Sequence, residues 1–215
     1  MVPGAQVVAE LAIVAVPILA AIVLHEVAHG AVAYAFGDPT AARAGRLTLN
    51  PLSHVDPFGT VLLPGLLYML THGAFLFGYA RPVPVDFRQL RHPRRDALLV
   101  ALAGPATNLV LAALSALVLG LLPSPRAASG SMSLVHQVAL TSLGINCVLA
   151  VFNLLPVPPL DGGRVLTALL PAPLARALGG MEVVGLVVVL VVVMESNLVG
   201  RLVHPLMAFL LRMMG

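Results

Sequence analysis

From Leu11 to Leu24 the chain is apolar without interruption, and long, predominantly apolar runs recur at Ala97 to Leu122 and at Leu134 to about Leu155. At about 1.5 Å of rise per residue such runs are long enough for a hydrocarbon layer of about 30 Å. Inside that layer no water is available to the backbone, so each crossing segment must satisfy its own N–H and C=O groups, which an α-helix does. With 59% hydrophobic and 10% charged residues in 215, the balance is far from that of a soluble globular domain. The expectation is an all-α polytopic membrane protein: a helical bundle forming a single membrane-embedded domain over residues 1–215.

Punctuation along the chain sets the expected elements. A first helix is predicted from Val7 to Phe36, stopped by Gly37, Asp38 and Pro39. It carries the chemistry described below and no basic residue precedes it, so it reads as a retained segment and not as a cleaved signal. Residues 40–56 read as an interfacial loop or a short β element near residues 43–50. Phe58 to Tyr79 is apolar but broken by Pro64, Gly65, Gly73 and Gly78, which suits a span or a re-entrant hairpin. A Pro-, Ser- and Gly-rich turn, Pro123 to Ser133, separates the two later spans, and the second runs into Pro156, Val157, Pro158 and Pro159, where a regular helix cannot continue. A short helix is expected after Gly163. The tail from Met181 to Met213 reads as one broken span or two, interrupted at Glu195, Ser196 and Asn197.

All 12 basic residues are arginine and the formal charge is +3. In this setting the arginines report topology: Arg81, Arg88, Arg91, Arg94 and Arg95 crowd one loop, which marks it as cytoplasmic. No aromatic residue interleaves them after Phe87, so nucleic acid is excluded as a partner, and the partner the composition does imply is the lipid bilayer. The single cysteine, Cys147, has no partner for an internal disulfide and lies in an apolar run, where it reads as a packing residue. The absence of lysine points to a compositionally biased genome and so to a bacterial cell membrane.

Within the first helix stands His25-Glu26-Val27-Ala28-His29. Residues i and i+4 share a helix face, so the two imidazoles can converge on one metal ion, while Glu26 lies on an adjoining face where it can hold and deprotonate a water. Depth strengthens the reading. A charged side chain at the centre of a membrane helix costs about 2.5–3.5 kcal/mol, and a bound Zn²⁺ compensates three ionisable groups in five residues. A catalytic zinc takes three protein ligands and leaves a fourth position open, so a third donor must come from His54, Asp56, His72, His136, Asp161 or His204. Asp161 is favoured: it follows the proline break, precedes Gly162 and Gly163, and ends a span that can return to the same depth.

These residues resemble a known family. The pentad, together with Asn153-Leu154-Leu155-Pro156-Val157-Pro158-Pro159-Leu160-Asp161-Gly162 and with Gly104-Pro105-Ala106-Thr107-Asn108, looks like the site-2 protease family of intramembrane zinc metalloproteases, with three motifs in the family's order. The resemblance implies that Asp161 is the third zinc ligand. For Asn153 it implies a polar role beside the metal, binding substrate backbone or steadying the oxyanion, and Asn108 is grouped with it. The chain has no room for the PDZ or nucleotide-sensing domain of many relatives, so it resembles a minimal subgroup. His54-Val55-Asp56-Pro57-Phe58-Gly59 also resembles that subgroup, and for His54 a loop or supporting hydrogen-bond role stands ahead of metal ligation. His72, His92, His136 and His204 read as interfacial or packing residues.

A parity argument constrains the topology. His25 and His29 lie near the end of the first helix, so Asp161 must lie near that same side. It does so if Phe58 to Tyr79 re-enters and the next two spans cross and return; a full crossing there would strand Asp161 opposite the histidines. The implied activity is hydrolysis of peptide bonds in or near the transmembrane segment of a single-span membrane protein, such as an anchored regulator or a signal-peptide remnant, from an active site toward the cytoplasm. The helical substrate must unwind, and Gly45 to Leu49 offers an edge for it to pair with. The rival readings are a transporter or channel that uses the same His, Glu and Asp cluster for proton or metal passage, and an inactive scaffold. The oligomeric state is not legible.

Overall fold

The computed structural model describes residues 3–72, 78–122, 132–194 and 196–214, and among them no strand occurs. The elements are α1 (Pro3–Ala35), a single turn α2 (Thr40–Arg43), a 3-10 turn (Pro51–His54), a π-type turn (Pro57–Leu62) running into α3 (Leu63–Leu70), α4 (Pro93–Leu121), α5 (Leu134–Asn153), α6 (Asp161–Leu169), α7 (Ala172–Gly179), α8 (Glu182–Met194) and α9 (Ser196–Met214). Three of these helices are long and apolar enough to cross a membrane, namely Glu10–Ala35, Pro93–Leu121 and Leu134–Asn153. A fourth crossing is available if Ala172–Gly179 and Glu182–Val189, bent by 62°, act together.

α4 is the hub, packed against α1, α5, α6 and α9. Its contacts are made by small residues: Ala101, Ala112 and Ala116 of α4 are fully buried, as are Ala21 and Ala33 of α1 and Ala150 of α5. Small side chains let helix backbones approach closely, which is how helices associate where lipid removes the hydrophobic drive between them. The outward face carries the large apolar residues, among them Leu11, Val14, Val110, Leu114 and Leu121, while the buried polar groups include His25, His29, Asn108, Asn146 and Asp161. An apolar exterior around a polar interior is the arrangement a bilayer selects. Cys147 sits in the apolar cluster of Ala112, Ala116, Leu143, Val203 and Leu210, the packing position expected of it.

Several boundaries differ from the sequence expectation. α4 begins at Pro93 and not at Ala97, because Pro93 occupies the first turn and Asp96 Oδ2 accepts the His92 N–H (2.7 Å). α6 begins at Asp161 itself and not after Gly163, which places a carboxylate in the first turn of a helix. Residues 44–50 are irregular, the loop alternative of the two: Gly45 is left-handed (φ +64°), Arg46 N–H bonds back to Ala41, the Arg46 guanidinium donates to the Ser53 carbonyl, and no neighbouring segment supplies a ladder. The tail resolves into α8 and α9; α9 buries Val203 and Leu210 and exposes Arg201, His204 and Arg212. Gly73, most of the turn 123–133 and Glu195 lie outside the described residues.

The segment between α2 and α4 decides the topology. Asp56 Oδ1 caps the N–H groups of Phe58 and Gly59 (3.0 and 2.7 Å), starting the π-type turn. Tyr79 N–H then donates to the Gly59 carbonyl (3.0 Å), and Thr60 Oγ1 donates to the Tyr79 carbonyl (2.9 Å). The Tyr79 ring lies so close over Gly59 that a β-carbon there would stand 2.3 Å from it. Both ends of this apolar segment therefore meet, an arrangement that fits the re-entrant reading of residues 58–79. Beyond it, residues 78–86 run as an irregular strap tied at three points: Arg81 N–H to the His54 carbonyl (2.9 Å), Val83 N–H to Glu26 Oε2 (2.8 Å), and Asp86 N–H to Asp38 Oδ2 (2.7 Å).

Candidate metal centre

α1 presents His25 and His29 one turn apart on the face that meets α4, both buried. Their rings stand edge to face, 83° between planes, so ring nitrogens and not ring faces converge. The two Nε2 atoms are 3.0 Å apart, and Asp161 Oδ2 lies 3.1 Å from that of His25 and 3.2 Å from that of His29. Among the described residues these three side chains form a group that could hold a metal ion, with the first two supplied by α1 and the third by the start of α6.

The other ring nitrogens fix the tautomers. His29 Nδ1 lies 2.7 Å from the Val100 carbonyl oxygen, which only accepts, so Nδ1 carries the proton and Nε2 the lone pair. His25 Nδ1 lies 2.6 Å from Asn108 Oδ1 and is likewise the donor. With both rings neutral, two nitrogen lone pairs and a carboxylate oxygen therefore point at one another, a repulsive cluster that a cation relieves. Donors about 2.0–2.1 Å from a tetrahedral zinc stand about 3.3 Å apart, so the observed separations fit the ion with little adjustment.

Local sequence explains how Asp161 arrives. Pro156, Pro158 and Pro159 end α5 and force tight turns, with Val157 N–H to the Leu155 carbonyl (2.8 Å) and Leu160 N–H to that of Val157 (3.0 Å); the Pro158-Pro159 bond is cis. The first turn of α6 then rests directly on this backbone. A β-carbon at Gly162 would stand 2.4 Å from the carbonyl oxygens of Leu154 and Leu155, and one at Gly163 2.5 Å from the nitrogen of Pro158. Only glycine permits that approach, and it holds Asp161 over the histidines. The second carboxylate oxygen, Oδ1, faces Arg164 at 3.5 Å.

α4 supports the centre from the other side with Val100, Gly104 and Asn108, spaced four apart on one helix face. Pro105 cannot donate to the carbonyl of Ala101, and in this loosened turn the second lone pair of the Val100 carbonyl takes His29. At Gly104 a β-carbon would lie 2.4 Å from His29 Nε2 and 2.6 Å from His25 Nε2. Asn108 is fully buried; its oxygen faces His25 and its amide nitrogen reaches Asn146 Oδ1 (2.9 Å) and the Ala21 carbonyl (3.4 Å). Asn153 is half-buried at the end of α5, with Nδ2 donating to the Leu149 carbonyl of its own helix (3.0 Å) and Oδ1 without a partner among the described residues.

The remaining candidates do not join the ligand group. His54 is buried, with Nε2 2.9 Å from the Thr48 carbonyl and Nδ1 without a partner. Asp56 caps the π-type turn. His136 lies near the start of α5 against Ser133 Oγ (3.0 Å), while His72, His92 and His204 are exposed. Sequence reading missed Val83 and Asn146, and took in Gly104 only as part of a motif. Only Asn146 carried a signal, as a polar residue inside an apolar run.

Comparison with known proteins places the chain in a family. Residues 124–194, which include Asp161 and the proline turn, match peptidase family M50. A Bacillus subtilis protein named "Putative zinc metalloprotease YwhC" is 41% identical over 179 residues, covering 82% of this chain and 77% of its own. The like-named Rip2 of Mycolicibacterium smegmatis is 35% identical over 181 residues, covering 84% of this chain and 66% of its own. The chain belongs to peptidase family M50. As an M50 peptidase it is of the zinc metalloprotease class, related to the site-2 proteases, and its apolar helices make it a membrane protein. No solved structure matches the chain.

Proposed function

We propose that this M50 peptidase hydrolyses peptide bonds in or near the transmembrane segments of single-span membrane proteins, using zinc held by His25, His29 and Asp161 and Glu26 as general base. The observation that carries the reading is the convergence of three lone-pair donors at a buried point between helices long enough to cross a bilayer. Zinc bound there supplies Lewis-acid polarisation of the scissile carbonyl and of an attacking water. Glu26 takes the proton from that water and later delivers it to the leaving amine. Its Oε2 is held by Val83 N–H, which fixes the carboxylate and leaves Oε1 for the proton.

Asn153 keeps an Oδ1 with no partner among the described residues, suited to binding an unwound substrate backbone. Asn108 spends its groups on His25, Asn146 and Ala21, so its role in this reading is to hold the His25 ring. Pro82 and Pro84 leave the strap without donors on one edge, so the unwound segment pairs instead with residues 47–49, whose N–H groups bond to no neighbouring main chain. The exposed arginines between residues 81 and 95, from the strap to the first turn of α4, support an active site toward the cytoplasm.

The test is metal analysis of detergent-purified protein together with cleavage of a panel of single-span substrates. Wild type should carry stoichiometric zinc and cleave, and Asp161→Ala should lose both. Zinc content unaffected by Asp161→Ala would sink the ligand set; metal or proton flux in liposomes without cleavage would favour the transporter. Val83→Pro, which removes one N–H from the strap, should lower kcat/KM by about tenfold with zinc retained, because a hydrogen bond to a charged group is lost. Unchanged kinetics would show that Glu26 needs no such support.

A further inference from the structure

A chain of amides leads from the metal centre into the α4–α5 interface, and its direction is fixed at the far end. Asn146 is buried on α5, and its Nδ2 lies 2.9 Å from the main-chain carbonyl oxygen of Ser142. A carbonyl only accepts, so the amide nitrogen of Asn146 must face it and Oδ1 must face the other way. Oδ1 is 2.9 Å from Asn108 Nδ2, which obliges Asn108 to turn its own oxygen toward His25 Nδ1, at 2.6 Å. The imidazole then carries its proton on Nδ1 and its lone pair on Nε2, toward Asp161 and His29. Flipping both amides would set the Asn146 oxygen against the Ser142 carbonyl at 2.9 Å and the Asn108 oxygen against that of Ala21 at 3.4 Å. Both contacts are between acceptors, buried and away from water.

We propose that Asn146 is a positioning residue for the metal centre: anchored on the Ser142 carbonyl, it sets the amide orientation of Asn108 and so holds His25 in the tautomer that ligates. Asn146 lies one full side chain beyond the group that touches the ligand, and it acts only through Asn108. The inference rests on the zinc reading above, and the experiment separates the two.

Zinc affinity is measured by chelator competition on detergent-purified wild type, Asn146→Leu, Asn146→Ala, Asn108→Leu, the Asn108→Leu/Asn146→Leu double variant and Ser142→Ala, with helical content and monodispersity as folding checks. Partners behind a ligating histidine are worth about 10–100-fold in metal affinity, so Asn108→Leu should weaken zinc binding by that range and Asn146→Leu by about three- to tenfold. The double variant should bind no more weakly than Asn108→Leu alone, because the two act in series. Ser142→Ala keeps the anchoring carbonyl and should bind as wild type does. Asn146→Ala removes the amide without adding bulk and decides the matter if Asn146→Leu disturbs packing. Wild-type affinity in both folded Asn146 variants, or losses that add in the double variant, overturns the proposal. Wild type that binds no zinc overturns the zinc reading and this inference with it.

Discussion

Gly104→Ala should yield a folded, helical membrane protein that no longer retains zinc through purification. The added β-carbon would stand 2.4–2.6 Å from His29 Nε2 and from His25 Cε1 and Nε2, well inside contact distance. The rings have no retreat, because His29 is bonded to Val100 and His25 to Asn108, both on the same face of α4 that carries the new methyl. Relief requires either moving α4 from α1, against the close packing of Ala21, Ala33 and Ala101, or turning the imidazoles off their partners. Overpacking of this kind costs about 1–3 kcal/mol in stability, which a packed bundle can absorb. The loss falls on the centre: zinc affinity should drop by at least about 100-fold, the upper range for disrupted ligand support, and proteolysis with it. Zinc content equal to wild type in a chelator wash would show that α1 and α4 are not held as described.

The second large effect separates metal holding from proton handling. Glu26→Gln should bind zinc as tightly as wild type yet cleave about 10²–10⁴ times more slowly, the usual contribution of a positioned general base. Glutamine has nearly the same shape, and its amide oxygen can still accept the Val83 N–H, so the strap and α1 stay where they are. What is lost is the capacity to accept a proton. Single-turnover cleavage and zinc stoichiometry on the same preparation decide it, and near-normal cleavage would remove Glu26 from the reaction.

How much of this was legible in the sequence depended on the range of the physics involved. Apolar runs and the i, i+4 spacing of His25 and His29 are local, so the apolar helices and the converging pair of imidazoles could be read directly. Asp161 was reached through its proline-glycine surroundings, and parity demanded the hairpin that Gly59 and Tyr79 close. Gly104 was seen as part of a motif, but what its missing side chain avoids lies on another helix, 75 and 79 residues away in sequence from His29 and His25. Val83 contributes a main-chain N–H, which no side-chain pattern announces. The loop at residues 44–50 stayed ambiguous because a strand needs a partner, and none was visible in composition. α6 was placed three residues late because Gly162 and Gly163 read as a turn, whereas here they let a helix begin against another backbone.

The hydrogen bond from Tyr79 to Gly59 makes the apolar excursion between them a closed detour. Whatever is inserted into or pared from its outermost residues, the polypeptide resumes from the same spot, heading the same way. Loop length there can be altered by an engineer while Asp161 still arrives at the histidines.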